Sequence, residues 1–130
     1  MDKKIKVLLV DDEADFSDPM AYFFESNGYS VSKAPNGKEA IMAIKEGTPD
    51  IVFLDIALPD IDGITLLKKI RKLNKALPII IMSAFVKEDI LEEGPHFHGK
   101  TDIYYKTDSL SRALALLESA LKTDKKFNDE

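Results

Sequence analysis

The sequence predicts a doubly wound α/β fold, in which helices cover both faces of a parallel sheet. Four short apolar runs occur at 5–10, 50–55, 77–82 and 102–105, and continuous runs of this kind suit strands buried on both faces. Helical patterns lie between the runs, so strand and helix alternate along the chain, as in sheets with right-handed crossovers. The 130 residues suffice for one domain and are too few for two.

The first crossover helix should occupy residues 14–27, and Pro19 leaves its beginning open. Proline cannot donate a backbone hydrogen bond, so it would interrupt a helix that begins at Ala14. Either the helix begins late, with Ser17 or Asp18 as its N-cap and Pro19 in the first turn, or it is kinked.

The second strand and helix are marked by weaker but specific patterns. The run YSVSKA at 29–34 alternates polar and apolar residues and fits an edge strand of the same sheet. Asn36 and Glu39 stand three residues apart, as in a capping box that opens a helix. Glycine at position 47 should end this helix after Glu46.

The remaining helices follow from the spacing of apolar residues. A third helix is predicted over 63–72, and the last over 108–122, with Asp108 or Ser109 as its cap. Between the apolar runs at 77–82 and 102–105, residues 86–101 suggest a brief helical stretch, VKEDILEE, followed by the loop GPHFHGK.

Composition sets the domain limits and narrows the function classes. We expect one domain over residues 1–122 and a frayed tail over 123–130, where the apolar pattern stops. A formal charge of −5 argues against nucleic acid as a direct ligand. Without cysteine, thiolate chemistry and cysteine-bound zinc are excluded. The absence of cysteine also fits a cytoplasmic protein. No apolar run approaches the roughly 20 residues of a membrane span, so we expect no membrane contact.

An acidic cluster follows the first apolar run directly, in the stretch VLLVDDEAD. Two carboxylates about 4 Å apart repel by roughly 4 kcal/mol at an effective dielectric constant of about 20. A metal ion, a basic side chain, raised pKa values or divergence of the side chains into water would each offset this cost. We expect Asp11 and Asp12 to be the functional pair, and Glu13 and Asp15 to face water.

The residues that end the apolar runs should meet at one edge of the sheet, because ligands of such sheets bind beyond the carboxyl ends of the strands. They are Asp11 and Asp12 after the run at 5–10, Asp55 at the end of the run at 50–55, Ser83 after the run at 77–82 and Lys106 after the run at 102–105. Carboxylate oxygens suit Mg²⁺, and lysine offers a compact positive charge for phosphate. Each residue by itself is more often a turn former or a surface charge, and only their joint placement favours a site.

This grouping predicts a site where a phosphoryl group is attached to a carboxylate. Asp55 is the best nucleophile, since it stands alone after the most apolar central strand, while Asp11 and Asp12 are placed to hold a metal ion.

Four motifs follow one another along nearly the whole chain: VLLVDDE, FLDIALPDIDG, IIIMSA and YYK. In the second motif, Pro59 stands four residues and Gly63 eight residues after Asp55, and in the third Ser83 precedes Ala84. In this order the motifs resemble the receiver domain of two-component response regulators, of the CheY-like superfamily. The resemblance implies a flavodoxin-like, five-stranded parallel sheet with strand order 2-1-3-4-5.

The resemblance also implies a function and a set of partners. Asp55 would take a phosphoryl group from a sensor histidine kinase or a phosphotransfer protein. The phosphorylated chain would bind a downstream protein, as a monomer or as a phosphorylation-dependent dimer. Such a domain is not an enzyme in its own right and catalyses only its own phosphorylation and dephosphorylation.

The same resemblance assigns roles within the site. Asp12, Asp55 and the backbone carbonyl of Ala57 would bind Mg²⁺ directly, with Asp11 acting through water. Lys106 would contact the phosphoryl group. The hydroxyl of Ser83 would turn toward that group as a switch.

The sequence departs from the family pattern at two positions. Thr107 follows Lys106 where receivers usually carry a proline after a cis peptide bond. A cis bond before a residue other than proline costs about 2.5–4 kcal/mol, so this bond is either trans or strained. Ile103 stands where an aromatic switch residue is common. Either a neighbouring tyrosine such as Tyr104 substitutes for it, or the aromatic half of the switch is missing.

Two other functions compete with a phosphorylated switch. One is a phosphatase or phosphotransferase of the haloacid dehalogenase type, which needs an Asp-x-Asp pair after its first strand, and DDEAD lacks one at the right place. The other is a degenerate receiver that binds a partner without being phosphorylated. Thr107 and Ile103 favour that alternative, whereas the five filled site positions disfavour it.

Overall fold

The computed structural model describes residues 3–84 and 101–129, with side chains described to residue 122. Five strands and four helices lie in these ranges, in the chain order β1 Lys6–Val10, α1 Ala14–Ser26, β2 Ser30–Ala34, α2 Gly37–Glu46, β3 Ile51–Asp55, α3 Gly63–Leu73, β4 Ile79–Ser83, β5 Thr101–Tyr105 and α4 Leu110–Asp129. All strand pairs are parallel and the order is β2-β1-β3-β4-β5. The predicted fold and strand order are confirmed, and β2 is the predicted edge strand.

Two apolar layers hold helices against opposite faces of the sheet. One layer packs Met20 and Phe24 of α1 and Leu117 of α4 against Phe53 of β3. The other layer joins α2 and α3 to the opposite face, where Leu54 of β3 lies. All five residues of β3 are buried because their side chains alternate between these layers. This double burial explains why the central strands read as continuous apolar runs.

Helix α1 begins at Ala14, with Glu13 as its N-cap residue. The amide of Ser17 donates to the Glu13 carbonyl at 3.0 Å, so the first turn forms well before the proline. The late start at Ser17 or Asp18, which the sequence also allowed, is therefore wrong. Pro19 lies inside the helix, where it withholds one backbone hydrogen bond.

The predicted cap of α2 is present, and α3 has a cap that was not predicted. The side chain of Asn36 accepts a hydrogen bond from the Glu39 amide at 2.9 Å, as predicted for the start of α2. Asp62 caps α3 in the same way, because its carboxylate accepts from the Thr65 amide at 3.1 Å. Each cap satisfies a backbone donor that the first helical turn leaves free.

The last helix is longer than the sequence predicted. Helix α4 continues past residue 122 to Asp129, across the segment where a frayed tail was expected. Fraying of residues 123–130 in solution stays a prediction. The expected short helix and GPHFHG loop fall on residues 85–100, outside the described residues. Among the helices that the structure describes, none combines the length and apolar character needed to cross a bilayer.

Candidate functional site

Lysine 106 lies at the carboxyl edge of the sheet between acidic side chains from other elements. Its Nζ is 2.8 Å from Oδ2 of Asp11 and 3.0 Å from Oδ2 of Asp55. Oε1 of Glu13 is also 3.0 Å away. The amide of Lys106 donates to the Ser83 carbonyl at 2.7 Å, which fixes the turn after β5 to the end of β4. Residues at the carboxyl ends of β1, β3, β4 and β5 therefore lie close together, and their roles in a site stay predictions.

Burial makes these charges interact strongly. The side chain of Asp11 is fully buried, that of Asp55 is 5% exposed and that of Lys106 is 10% exposed. Burial raises the pKa of Asp55, and the amide of Ala57 and the charge of Lys106 oppose that rise. Burial by itself would lower the pKa of Lys106, but its close contacts with the carboxylates of Asp11, Asp55 and Glu13 raise that pKa above the ordinary value. The lysine is therefore a permanent positive charge in this site.

The loop after β3 fixes the carboxylate of Asp55. Its Oδ1 accepts from the Ala57 amide at 2.9 Å, and the Ile56 amide donates to the Met82 carbonyl at 3.1 Å. Gly63 closes the loop, because its amide donates to the Ile56 carbonyl at 3.0 Å. A Cβ at Gly63 would lie 2.3 Å from the Ile56 Cα, so only glycine fits without moving the backbone. This close approach explains the spacing from Asp55 to Gly63.

Three acidic residues bring their carboxylate oxygens close enough together to bind one cation. One carboxylate oxygen from each of Asp11, Asp12 and Asp55 lies within 4.8 Å of the others. Oδ1 of Asp11 accepts from the Glu13 amide at 2.8 Å. Oδ2 of Asp11 is buried and accepts no well-aligned hydrogen bond from the described residues. It does form an ion pair with Lys106 Nζ. Buried and exposed carboxylate oxygens together form a donor set that suits Mg²⁺.

Two contacts of Lys106 were missed by the sequence analysis. Glu13 was expected to face water, and its side chain is indeed 65% exposed, yet it forms an ion pair with Lys106. The ring of Phe16 lies beneath the ammonium group, with its centroid 4.5 Å from Nζ. Both residues belong to the start of α1 and are three positions apart, which places them on one side of a helix. This three-residue spacing is the sequence pattern from which the two contacts could have been predicted.

Ser83 lies at the expected edge, and the predicted switch role of its hydroxyl stays a prediction. The residue is buried at the end of β4, where it is paired in register with Tyr105 of β5. It shares a strand end with the loop that carries Lys106.

Ile103 and Tyr104 lie on opposite faces of the sheet, as neighbours in a strand must. Ile103 packs in the layer of α2 and α3. Tyr104 is buried in the layer of α1 and α4, and its hydroxyl donates to the Asp108 carbonyl at 2.8 Å. Tyr104 thus occupies a different layer from Ile103, and the switch role assigned to these two residues stays a prediction.

The peptide bond between Lys106 and Thr107 is trans, since the described residues contain no cis peptide bond. The strained cis alternative that the sequence left open is therefore wrong. The lysine reaches Asp55 without the cis bond that usually follows it in receivers.

Residues 7–116 match the sequence family described as the response regulator receiver domain. The chain belongs to this family. Receivers are modules of two-component signal transduction rather than conventional enzymes. They bind Mg²⁺ at an acidic pocket and interact with histidine kinases or phosphotransfer proteins and with downstream effectors.

Similar proteins include both small receivers and longer regulators. The chain is 31% identical over 117 residues to sporulation initiation phosphotransferase F of Bacillus subtilis, which covers 85% of this chain and 94% of that protein. It is 34% identical over 118 residues to the transcriptional regulatory protein ZraR of Salmonella typhimurium, of which it spans 26%. The crystal structure of NtrX from Brucella abortus superposes with a TM-score of 0.89 at 29% identity, over 98% of this chain and 29% of that one.

Proposed function

We propose that Asp55 accepts a phosphoryl group from a phosphohistidine of a sensor kinase or phosphotransfer protein, and that this modification changes how the receiver binds a downstream protein. The observation that carries the proposal is the contact of Lys106 with the buried carboxylates of Asp55 and Asp11. A structural ion pair needs one carboxylate, whereas this lysine faces two that are buried and a third, Glu13, that is exposed.

The transfer exchanges one phosphorus bond for another. A carboxylate oxygen of Asp55 attacks phosphorus, an O–P bond forms, and the N–P bond to the donor imidazole breaks. The released imidazole takes up a proton from solvent. Lys106 lies 3.0 Å from Oδ2 of Asp55, close to where the phosphoryl oxygens develop negative charge, so it stabilises the transition state electrostatically. The Ala57 amide orients the attacking carboxylate.

The acidic residues fit Mg²⁺ as the cofactor. Asp12, Asp55 and the backbone carbonyl of Ala57 would hold the ion, with Asp11 contributing through water. When bound, Mg²⁺ supplies positive charge that neutralises the carboxylates and the phosphoryl oxygens. The clustering of one carboxylate oxygen from each of Asp11, Asp12 and Asp55 within 4.8 Å of the others supports this assignment.

The signal arises because phosphorylation changes the partners of Lys106. A new doubly charged group beside Lys106 competes with Asp11 and Glu13 for the ammonium group. Rearrangement of these contacts, together with rotation of the Ser83 hydroxyl toward the phosphoryl group, biases the receiver between two states. Ile103 and Tyr104, on the adjacent strand β5, are the residues through which the change would reach the partner surface. The active species is a monomer or a phosphorylation-dependent dimer in the cytoplasm.

Intact mass after incubation with acetyl phosphate tests the proposal. The wild-type chain should gain the mass of one phosphoryl group when Mg²⁺ is present and none when Mg²⁺ is chelated. Asp55→Ala should gain none under either condition. Asp15→Ala is the matched control, since it removes an exposed carboxylate of the same edge that does not end a strand, and it should be modified like the wild type.

Each contrary result points to a different function. Absence of an adduct on the wild type would identify a degenerate receiver that binds its partner unmodified. Turnover of acetyl phosphate far beyond one equivalent, without an accumulating adduct, would identify an enzyme. An adduct that persists in Asp55→Ala would place the modification elsewhere and refute the role of Asp55.

A further inference from the structure

A groove of about 590 Å³ lies between α2 and α3, and its lining contains none of the acidic residues or Lys106 of the site described above. Its apolar lining consists of Ile41, Met42, Ile61, Leu66 and Leu73. Met42 is 48% exposed and Leu73 is 46% exposed, which is high for large apolar residues in the described part of the chain. An exposed apolar strip inside a groove is typical of a binding surface.

Lysines stand on both walls of this groove. Lys38 and Lys45 belong to α2, and Lys69 and Lys72 belong to α3. None of these four ammonium groups forms an ion pair with a carboxylate of the described residues. The chain as a whole carries a formal charge of −5, so the groove is locally positive on a protein whose net charge is negative.

Asp60 is the acidic residue in the lining, and its carboxylate is already engaged. Its two oxygens accept hydrogen bonds from the backbone amides of Gly37 at 2.9 Å and Lys38 at 3.1 Å, at the start of α2. Asp60 thus neutralises the positive end of the helix rather than the lysine side chains. The ammonium groups remain available to an external anion.

The spacing along the helices aligns the lysines with the apolar strip. Residues 38, 41, 42 and 45 follow the i, i+3, i+4, i+7 pattern that places side chains on one face of α2. Residues 66, 69 and 73 do the same for α3. The lysines of α2 are separated by two turns, about 10 Å along the helix axis. The groove therefore has an apolar floor with cationic walls over a length of two helical turns.

We propose that the α2–α3 groove binds an acidic amphipathic helix of a partner protein. Such a helix places an apolar stripe on the floor while its flanking carboxylates meet the lysines of both walls. A nucleic acid strand would pair with the lysines but leave Met42 and Leu73 against water or phosphate. A second copy of this chain, docked symmetrically, would bring the same lysines together and repel. Charge and apolar surface together favour the acidic helix.

Fluorescence anisotropy of a designed helical peptide tests the proposal. The probe carries leucines at i, i+3, i+4 and i+7 with glutamates on both sides. It should bind the wild-type chain saturably, and the double variant Lys45→Glu/Lys69→Glu should raise the dissociation constant about tenfold or more. The matched control Lys68→Glu/Lys75→Glu makes the same charge change at exposed positions outside the lining, and should stay within about twofold of the wild type.

Two further arms separate the peptide from other occupants. Met42→Gln/Leu73→Gln changes exposed side chains without disturbing the core and should weaken binding. A peptide with lysines in place of the glutamates should bind the Lys45→Glu/Lys69→Glu variant more tightly than it binds the wild type.

Several results would overturn the proposal. These are no saturable binding to the wild type, equal binding of a peptide with the same composition in scrambled order, and equal binding to the groove and control variants. Displacement of the probe by a single-stranded oligonucleotide would assign the groove to nucleic acid. A wild-type dimer in sedimentation that Met42→Gln/Leu73→Gln dissociates would assign it to a second copy of the chain.

Discussion

Replacing Lys106 by methionine removes the positive charge that faces Asp11, Asp55 and Glu13, while keeping a side chain of similar length over Phe16. In metal-free buffer at neutral pH, the buried carboxylates lose their counterion and repel one another. We expect a large loss of stability, measured as the free energy of unfolding in urea with a chelator present.

The magnitude follows from the distances and the burial. At an effective dielectric constant of about 20, charges at the observed 2.8 and 3.0 Å attract by about 6 kcal/mol per pair before desolvation is counted. Desolvation of Lys106 offsets much of this attraction in the wild type, and breaking a buried ion pair costs about 3–5 kcal/mol overall. Glu13 is 65% exposed, so its contact adds only about 0–1 kcal/mol. Lys106→Met should therefore lose about 3–5 kcal/mol.

Lys33→Met is the matched control, because it removes a lysine from an ion pair with Asp18 whose side chains are 46% and 58% exposed. It should cost no more than about 1 kcal/mol. A loss below about 1 kcal/mol in a natively folded Lys106→Met chain would refute the reasoning, since the buried carboxylates would then be held by something other than the lysine.

The pH dependence of stability gives the same contact a second test. Because the folded chain raises the pKa of Lys106 above the ordinary 10.5, its stabilising contribution is complete below about pH 10.5 and is lost as the pH rises through the higher folded value. Unfolding free energies measured across this range should fall for the wild type and fall less for Lys106→Met. Equal slopes would contradict the assignment.

Other residues give three further predictions. Mg²⁺ should stabilise the wild type by about 1.4 kcal/mol at ten times its dissociation constant and so raise its melting temperature. In a thermal-shift titration, Asp12→Ala should lose most of this gain. Gly63→Ala should destabilise the chain by about 1–3 kcal/mol in urea, because its Cβ would meet the Ile56 backbone; an unchanged midpoint would show that the loop relaxes. Tyr104→Phe should cost about 1 kcal/mol by removing the hydrogen bond to the Asp108 carbonyl. Since burial raises the pKa of Tyr104 above 10.0, stability should also fall less steeply above pH 10 in Tyr104→Phe than in the wild type.

The fold was predictable where local and tertiary preferences agree. The central strands are buried on both faces, and the Asn36 cap uses atoms within one turn, so sequence patterns reported both correctly. The start of α1 was not predictable from Pro19. The local preference against proline inside a helix favours a late start, whereas packing against the core favours an early one. Beginning at Ala14 adds a first turn in which Phe16 packs against the core and Ser17 is buried, and these contacts outweigh the missing hydrogen bond of one proline.

The site was predictable to the extent that topology decides it. Asp11, Asp55 and Lys106 end different parallel strands, so the strand order alone brings their backbones to one edge. Glu13 and Phe16 reach the lysine through side-chain directions in the first turn of α1, and these depend on where that helix begins. The error about the beginning of α1 and the missed contacts of Lys106 therefore have one physical origin.

The repulsion posed by the acidic cluster is offset in several ways at once. Lys106 neutralises Asp11 and Asp55, the pKa of Asp55 is raised by burial, and Asp12 points its charge toward solvent. These devices act on the same carboxylates as the proposed Mg²⁺, so their energies are coupled rather than additive. A site fully neutralised by lysine would have little affinity for a cation, and one without it would be unstable between binding events. Partial compensation of this kind would keep the receiver folded without the metal while leaving charge for the metal to bind.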